Sequence, residues 1–163
     1  MEDTIKLTYE ISGSDLLQAG EASGLLKLRL KQLGIPQEVI RRVSICMYEG
    51  EINMVIHANG GTADVEIGAD DIFIWLKDTG PGIPDIVKAM AEGFSTAGKK
   101  ARDLGFGAGM GLPNMKRCSD EMTVTSTVGH GTTVFMRVHI GKSADVASGR
   151  LLHASPATPG YDI

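Results

Sequence analysis

The segment from Leu76 to Met115 constrains the fold more than any other part of the chain. Eight of the chain's 21 glycines fall between Gly80 and Gly111. Glycine weakens a helix or strand interior by ~0.5–1 kcal/mol relative to alanine, so this density marks backbone geometry that side chains would obstruct. In the first half, Ile72, Phe73, Ile74, Trp75 and Leu76 form an apolar run that ends in a charge at Asp78. Gly80, Pro81 and Gly82 then turn the chain. That pattern predicts a buried strand delivering one carboxylate to the lip of a pocket. In the second half, Gly105, Gly107, Gly109 and Gly111 lead into the helix-compatible run LPNMKRCSDEM. A glycine-rich loop entering a helix N-terminus offers backbone N–H groups and a positive dipole end, both suited to phosphate. A carboxylate for a base and a cradle for phosphates together predict a nucleotide site.

Other phosphate loops fit less well. Gly93 to Lys99 has Walker A spacing, but Lys100 stands where the magnesium-binding Ser or Thr belongs. The preceding PDIVKAMAE also reads as helix, whereas that loop follows a buried strand. A dinucleotide fingerprint fails because the glycines run G-x-G-x-G-x-G with no strand immediately before them. A flexible glycine-rich loop with no ligand is the plain alternative.

At 163 residues the chain reads as one domain with room for a substantial core. Its 42% hydrophobic and 22% charged residues are those of a soluble protein. No apolar run approaches the ~20 residues that span a bilayer, so no membrane partner is expected. The acidic start MEDTIKLTYE is unlike a signal peptide. A net charge of −4 without a basic stripe argues against nucleic acid. Cys46 and Cys118 lack metal-ligand spacing and read as reduced thiols of a cytoplasmic protein.

Residues Thr4 to Ile11 alternate apolar and polar, which predicts a half-buried strand. Leu16 to Leu33 reads as a helix stopped by Gly34, and Pro36 opens a second helix running to about Ala58. Strands are predicted around Ala63–Ile67, Ile72–Leu76, Met122–Val128 and Thr132–Ile140, the last two joined at Gly129-His130-Gly131. From Gly141 the pattern dissolves into Ser, Ala, Gly and Pro, so residues 1–140 are expected to be the domain and 141–163 a tail, disordered or locally docked. The order β-α-α-β-β-loop-α-β-β predicts an α+β fold, a two-layer sandwich whose sheet is covered on one face by helices.

The second helix carries Glu49, Asn53 and His57 at i, i+4 and i+8, on one side. A carboxylate and an amide one turn apart can share the work of phosphoryl transfer, Glu49 accepting a proton and Asn53 offering a neutral oxygen to Mg²⁺. A solvated helix face would carry the same residues. Gly50 costs ~1 kcal/mol inside a helix and permits close approach of another segment or a ligand. His57 reads as a helix-end side chain bonding backbone or phosphate, without the second His or Cys a metal site needs. Glu51 points about 200° away from Glu49 and reads as uninvolved.

Four boxes occur in order: Glu49-x-x-x-Asn53, Asp78-x-Gly80-x-Gly82-Ile83, Gly107-x-Gly109-x-Gly111-Leu112 and Gly131-Thr132-Thr133-Val134. In this the chain resembles the Bergerat-fold ATPases, which include histidine kinases, gyrase, Hsp90, MutL and the anti-sigma-factor serine kinases. DTGPGIPDIVKAMAEGFSTAG with GAGMGLPNMKR looks most like the serine/threonine switch kinases of the bacterial stressosome and their anti-sigma relatives. The resemblance implies a mostly antiparallel mixed sheet and an ATP lid. It makes Glu49 the catalytic base and Asn53 the Mg²⁺ ligand. Asp78 would receive the adenine amino group in a pocket shaped by Gly80, Gly82 and Ile83. Gly107, Ala108, Gly109, Met110, Gly111 and Leu112 would bind the phosphates of ATP, with His57 nearby, and Thr132 would support adenine through its hydroxyl. The KKARDL insert lengthens the lid, and Lys99, Lys100 and Arg102 either reach a γ-phosphate or are solvated.

The function implied is an ATP- and Mg²⁺-dependent serine/threonine protein kinase of a partner-switching circuit. Its partner would be a STAS-domain, anti-anti-sigma-like protein. A sigma factor, a PP2C-type phosphatase and a second copy of the chain are further implied partners. The alternatives are an ATP-gated anti-sigma or partner-switch binding protein with little kinase activity, and a detached histidine-kinase catalytic domain.

Overall fold

A computed structural model of the protein describes residues 3–13, 16–93, 95 and 109–141. Gly107, Ala108, the lid cations Lys99, Lys100 and Arg102, and the tail beyond Gly141 lie outside the described residues.

Five strands form one sheet: β1 (Ile5–Ser12), β2 (Gly60–Ile67), β3 (Asp71–Lys77), β4 (Glu121–Thr127) and β5 (Gly131–His139). Their spatial order is β1-β2-β3-β5-β4, and every pairing is antiparallel. The expectation of a mixed sheet is therefore corrected for the described residues. The connections explain why. β2–β3 and β4–β5 are tight hairpins, and antiparallel pairs need only such short turns. The alternation read in the sequence sets the register. Ile5, Leu7 and Tyr9 lie opposite Ile67, Val65 and Ala63, so their inward faces coincide.

Helices α1 (Glu21–Gln32), α2 (Gln37–His57), the single turn α3 (Ile86–Ala89) and α4 (Gly111–Cys118) complete the fold. Leu26 and Leu30 of α1, Val43, Cys46 and Met47 of α2 and Met115 of α4 are fully buried with Val65, Ile72, Ile74, Met136 and Val138 of the sheet. This is one apolar layer between helices and strands, in the two-layer arrangement expected. The opposite face of the sheet carries a ring cluster, with Trp75 and Phe135 centroids 5.3 Å apart and Phe73 stacked on both.

Two local differences from the sequence reading have physical causes. The predicted helix from Leu16 is broken: a 3-10 turn (Leu16–Gln18) precedes Gly20, whose φ of 105° is left-handed. Apolar spacing persists across the break because Leu16 and Ala19 still pack on the core. Glu51 is not an uninvolved surface acid. Only 3% exposed, its carboxylate accepts hydrogen bonds from the backbone N–H groups of Ala22 (3.1 Å) and Ser23 (3.0 Å). α1 has no side-chain cap of its own, so a residue from α2 fills that role at the positive end of the helix dipole.

Candidate functional site

A cavity of about 580 Å³ opens between α2, α4, the ends of β3 and β5, and the segment around α3. That volume lies within the range of ligand pockets, ~300–1,000 Å³. Leu76, Met115 and Val134 give it apolar walls.

Asp78 follows the last residue of β3 and stands at one end of the cavity. Its Oδ1 accepts hydrogen bonds from the N–H groups of Gly80 (2.9 Å) and Thr132 (3.2 Å), and its own N–H donates to the Thr132 carbonyl at 3.0 Å. Both side-chain bonds fall on one carboxylate oxygen, so the carboxylate is oriented with acceptor capacity left on the other. The close approach depends on Gly131, with φ 126°, where a Cβ would lie 2.1 Å from the Asp78 carbonyl oxygen. Gly82 and Ile83 line the cavity beside it. Gly80 does not: it packs behind Asp78 against Ala58, and it shapes the pocket through its bond to Asp78. Ser126 of β4, which the sequence reading passed over, ties this corner together. Its Oγ accepts from the Ile83 N–H at 2.7 Å and lies 2.8 Å from the Thr132 hydroxyl. Only the β4–β5 register, Ser126 opposite Thr132, could have flagged it.

At the other end, α2 presents Glu49, Asn53 and His57 to the cavity, as their spacing predicted. The first residue of α4 closes over the first two. A Cβ on Gly111 would lie 3.1 Å from both side-chain amide atoms of Asn53 and 3.2 Å from Glu49 Oε2. α4 begins at Gly111, and its N-cap residue Met110 makes no side-chain cap, so the dipole end adjoins this pair, and Gly109, Met110, Gly111 and Leu112 all line the cavity. Burial pushes the Glu49 carboxyl above its usual range, opposed by a hydrogen bond from Asn114. His57, the last residue of α2, lines the cavity and is exposed to solvent, and desolvation lowers its pKa. Asn114 and Arg117 were also missed by the sequence reading. Their signal was the three-residue spacing from Gly111 to Asn114 to Arg117, which puts all three on one side of α4. The described ends of the lid meet here: the Gly93 N–H donates to the Gly109 carbonyl at 3.0 Å. α3 is only one turn of the helix expected from PDIVKAMAE, capped by Asp85, whose Oδ1 accepts from the Lys88 N–H at 3.0 Å.

An oriented carboxylate, an uncapped helix end and a Glu–Asn pair across one cavity define an ATP-binding fold, and residues 34–142 match the model of the histidine kinase-, DNA gyrase B- and HSP90-like ATPases. The chain belongs to that family. Among its relatives is the serine/threonine-protein kinase RsbT of Bacillus subtilis (strain 168), 37% identical over 108 residues, 64% of this chain and 75% of that one. The anti-sigma F factor of Geobacillus kaustophilus (strain HTA426) is 30% identical over 118 residues, 69% of this chain and 77% of its own. That of Thermoanaerobacter sp. (strain X514) is 36% identical over 115 residues, 68% and 77% respectively. Among the described residues no helix is long and apolar enough to cross a membrane.

Proposed function

We infer that the protein is an ATP-dependent serine/threonine protein kinase of a partner-switching circuit, acting in the cytoplasm on a STAS-type regulatory protein. The observation that carries this reading is the placement of Gly111, at the head of an uncapped helix, against Glu49 and Asn53. The phosphate-binding end of the pocket thereby meets a candidate base and a candidate metal ligand, with Asp78 held at the adenine end.

The residues fit Mg²⁺. An amide oxygen beside a carboxylate, facing a phosphate site, is the sparse protein donor set that Mg²⁺ accepts when substrate phosphates and water complete its shell. Asn53 would hold it, and when bound the ion neutralises charge on the β- and γ-phosphates. In the transfer itself, the partner's hydroxyl oxygen forms a bond to the γ-phosphorus as the bond from that phosphorus to the β–γ bridging oxygen breaks. ADP leaves, and the hydroxyl proton passes to Glu49. A base held in a partly buried site with a raised pKa takes that proton more readily than a fully solvated carboxylate. Asp78 accepts from the adenine amino group, and Thr132, whose hydroxyl keeps capacity beyond its bond to Ser126, supports the ring edge.

Likeness to anti-sigma F factors favours a second reading, an ATP-gated binding protein whose transfer is slow. A sigma factor, a PP2C-type phosphatase and a homodimer belong to either circuit. Incubating the chain with labelled ATP, Mg²⁺ and a purified STAS protein decides between the readings. Label on a partner serine or threonine, lost in Glu49→Gln, supports the kinase. Tight ATP-dependent association without label supports the binding protein.

A further inference from the structure

We propose that the open face of the sheet is a docking surface for the chain's own C-terminal segment, with Leu151 and Leu152 seated on the aromatic cluster of Phe73, Trp75 and Phe135. The surface lies on the side of the sheet away from the cavity, so the proposal is independent of the kinase reading.

Every Phe and Trp among the described residues lies on this face, whereas the buried core is built from Leu, Ile, Val, Met, Ala and Cys. Aromatic side chains dominate burial energetics, at ~150–250 Å² each, so a fold gains most by enclosing them. Here Trp75 and Phe135 stand directly opposite each other on β3 and β5, and Phe73 completes the group two residues from Trp75. The three are half-buried: they cover one another, while α1, α2 and α4 pack on the other side of the sheet. A contiguous apolar patch at the centre of a sheet face marks a surface that another segment covers.

The path of the chain, its chemistry and its tether name the occupant. β5 delivers the chain to the edge of this surface, where the Ile140 N–H donates to the Asp70 carbonyl at 2.7 Å and Gly141 turns with a φ of 112°. His139 lies opposite Asp71, and Phe73 is two residues further along β3, so the cluster begins ~7 Å from the exit. The stretch from Gly141 to Leu151 spans up to ~33 Å when extended, enough to reach any part of the face. Within residues 142–163 the one adjacent pair of large apolar residues is Leu151-Leu152, flanked by Arg150 and His153. Its site has matching chemistry, since carboxylates adjoin the apolar centre: Asp64 stands opposite Trp75, and Glu66 opposite Phe73. Glu66 is paired with Lys6 at 3.6 Å, and that lysine is 75% exposed, a weak contact that Arg150 can share or replace. A tethered segment also meets its site at an effective concentration of about a millimolar, above that of a separate copy in solution. The residues matched to the ATPase family stop at 142, so the segment is an addition to that domain.

The test uses the whole chain, with Trp75, its single tryptophan, as the reporter. Trp75 emission in the parent should lie toward the blue and resist acrylamide. In Leu151→Asp/Leu152→Asp the emission should move to the red and the quenching constant should rise about two-fold. Arg150→Ala should shift both in the same direction by less. These substitutions lie outside the sheet and its helices, so circular dichroism of each variant should superimpose on the parent's. A synthetic peptide of residues 148–156, added at about a millimolar to the double variant, should restore the protection, and the same peptide carrying both aspartates should not. Quenching in the parent should be equal at ~1 and ~100 μM, because a tethered contact does not respond to dilution. Equal quenching in parent and double variant, or a double variant that the peptide leaves unprotected, overturns the proposal. Protection of the parent that is lost on dilution overturns it in favour of a second copy of the chain as the occupant.

Discussion

Glu51→Gln is a severe substitution despite its conservative appearance. The Glu51 carboxylate uses one oxygen for each of two backbone donors at the head of α1, Oε2 for Ala22 and Oε1 for Ser23. Glutamine retains one acceptor oxygen and turns an NH₂ group toward the second donor. Hydrogen bonds involving a charged group contribute ~1.5–3 kcal/mol, and a buried donor left unsatisfied costs ~1–3 kcal/mol. A charge lost from a helix N-terminus removes up to a further ~2 kcal/mol in a partly buried setting. These overlap, since one broken bond underlies the first two, and the expected loss is about 2–4 kcal/mol. Glu51 does not line the cavity, so ATP affinity of the folded variant should stay within about three-fold of the parent. Urea denaturation followed by circular dichroism gives the stability, and calorimetry with ATP gives the affinity. A loss below about 0.5 kcal/mol would refute the capping role, because it would mean that water or another group satisfies α1 equally well.

Three further outcomes follow from the geometry. Asp78→Asn should keep the bonds to Gly80 and Thr132 through its oxygen but turn a donor toward adenine, weakening ATP binding about 10–100-fold by calorimetry. Unchanged affinity in the folded variant would remove adenine recognition from Asp78. Glu49→Gln should slow phosphoryl transfer by ~10²–10⁴ with ATP affinity within a few-fold of the parent. Stability should respond in the opposite sense. A carboxyl whose folded pKa is raised favours the fold only below its unfolded pKa, and that advantage is lost as pH rises through the folded value. The glutamine variant should therefore melt higher than the parent at pH 7–8, with the difference closing as pH falls through the raised folded pKa and gone below about 4.3. A constant difference across that range would contradict the burial of Glu49. Gly50→Ala places a Cβ 2.0 Å from Leu76 Cδ1, so Leu76 must shift within the wall of the cavity it lines. The helix gain of ~1 kcal/mol is set against ~1–3 kcal/mol of overpacking, and ATP affinity should fall measurably while the fold persists.

Strands were the most legible part of the chain because period-two alternation with one buried face admits a single register. Spacing also placed Glu49, Asn53 and His57 on the cavity side of α2, since i and i+4 positions share a helix face whatever surrounds them. The break at Gly20 was hidden because Leu16 and Ala19 bury apolar surface from a 3-10 turn as they would from a helix. Hydrophobic period reports burial, not backbone continuity. Glu51 and Ser126 were illegible for a different reason. They act on segments 29 and 43 residues away, at Ala22 and Ile83 respectively, and local spacing carries no information about such pairs.

Glu49, Gly50 and Glu51 appear in sequence as one acidic patch, yet the ~100° turn per residue sends them to three different neighbours. Glu49 faces the cavity and the head of α4. Gly50 lies against Leu76 of β3, close enough that any side chain would collide. Glu51 reaches the head of α1. The candidate base is therefore fixed from both sides by its own neighbours in the chain: one sets how near α2 lies to the sheet, the other ties α2 to α1. α4 completes the set by closing over Glu49 with Gly111, where any larger residue would press on the Glu–Asn pair. Gly131 acts at the other end of the cavity, and its missing Cβ makes room for backbone, the Asp78 carbonyl, rather than for a side chain of the site. The glycines around the cavity thus have two distinct physical roles. Substitution at Gly131 should be read out in folding, because backbone cannot step aside, whereas substitution at Gly111 should be read out in nucleotide binding and transfer.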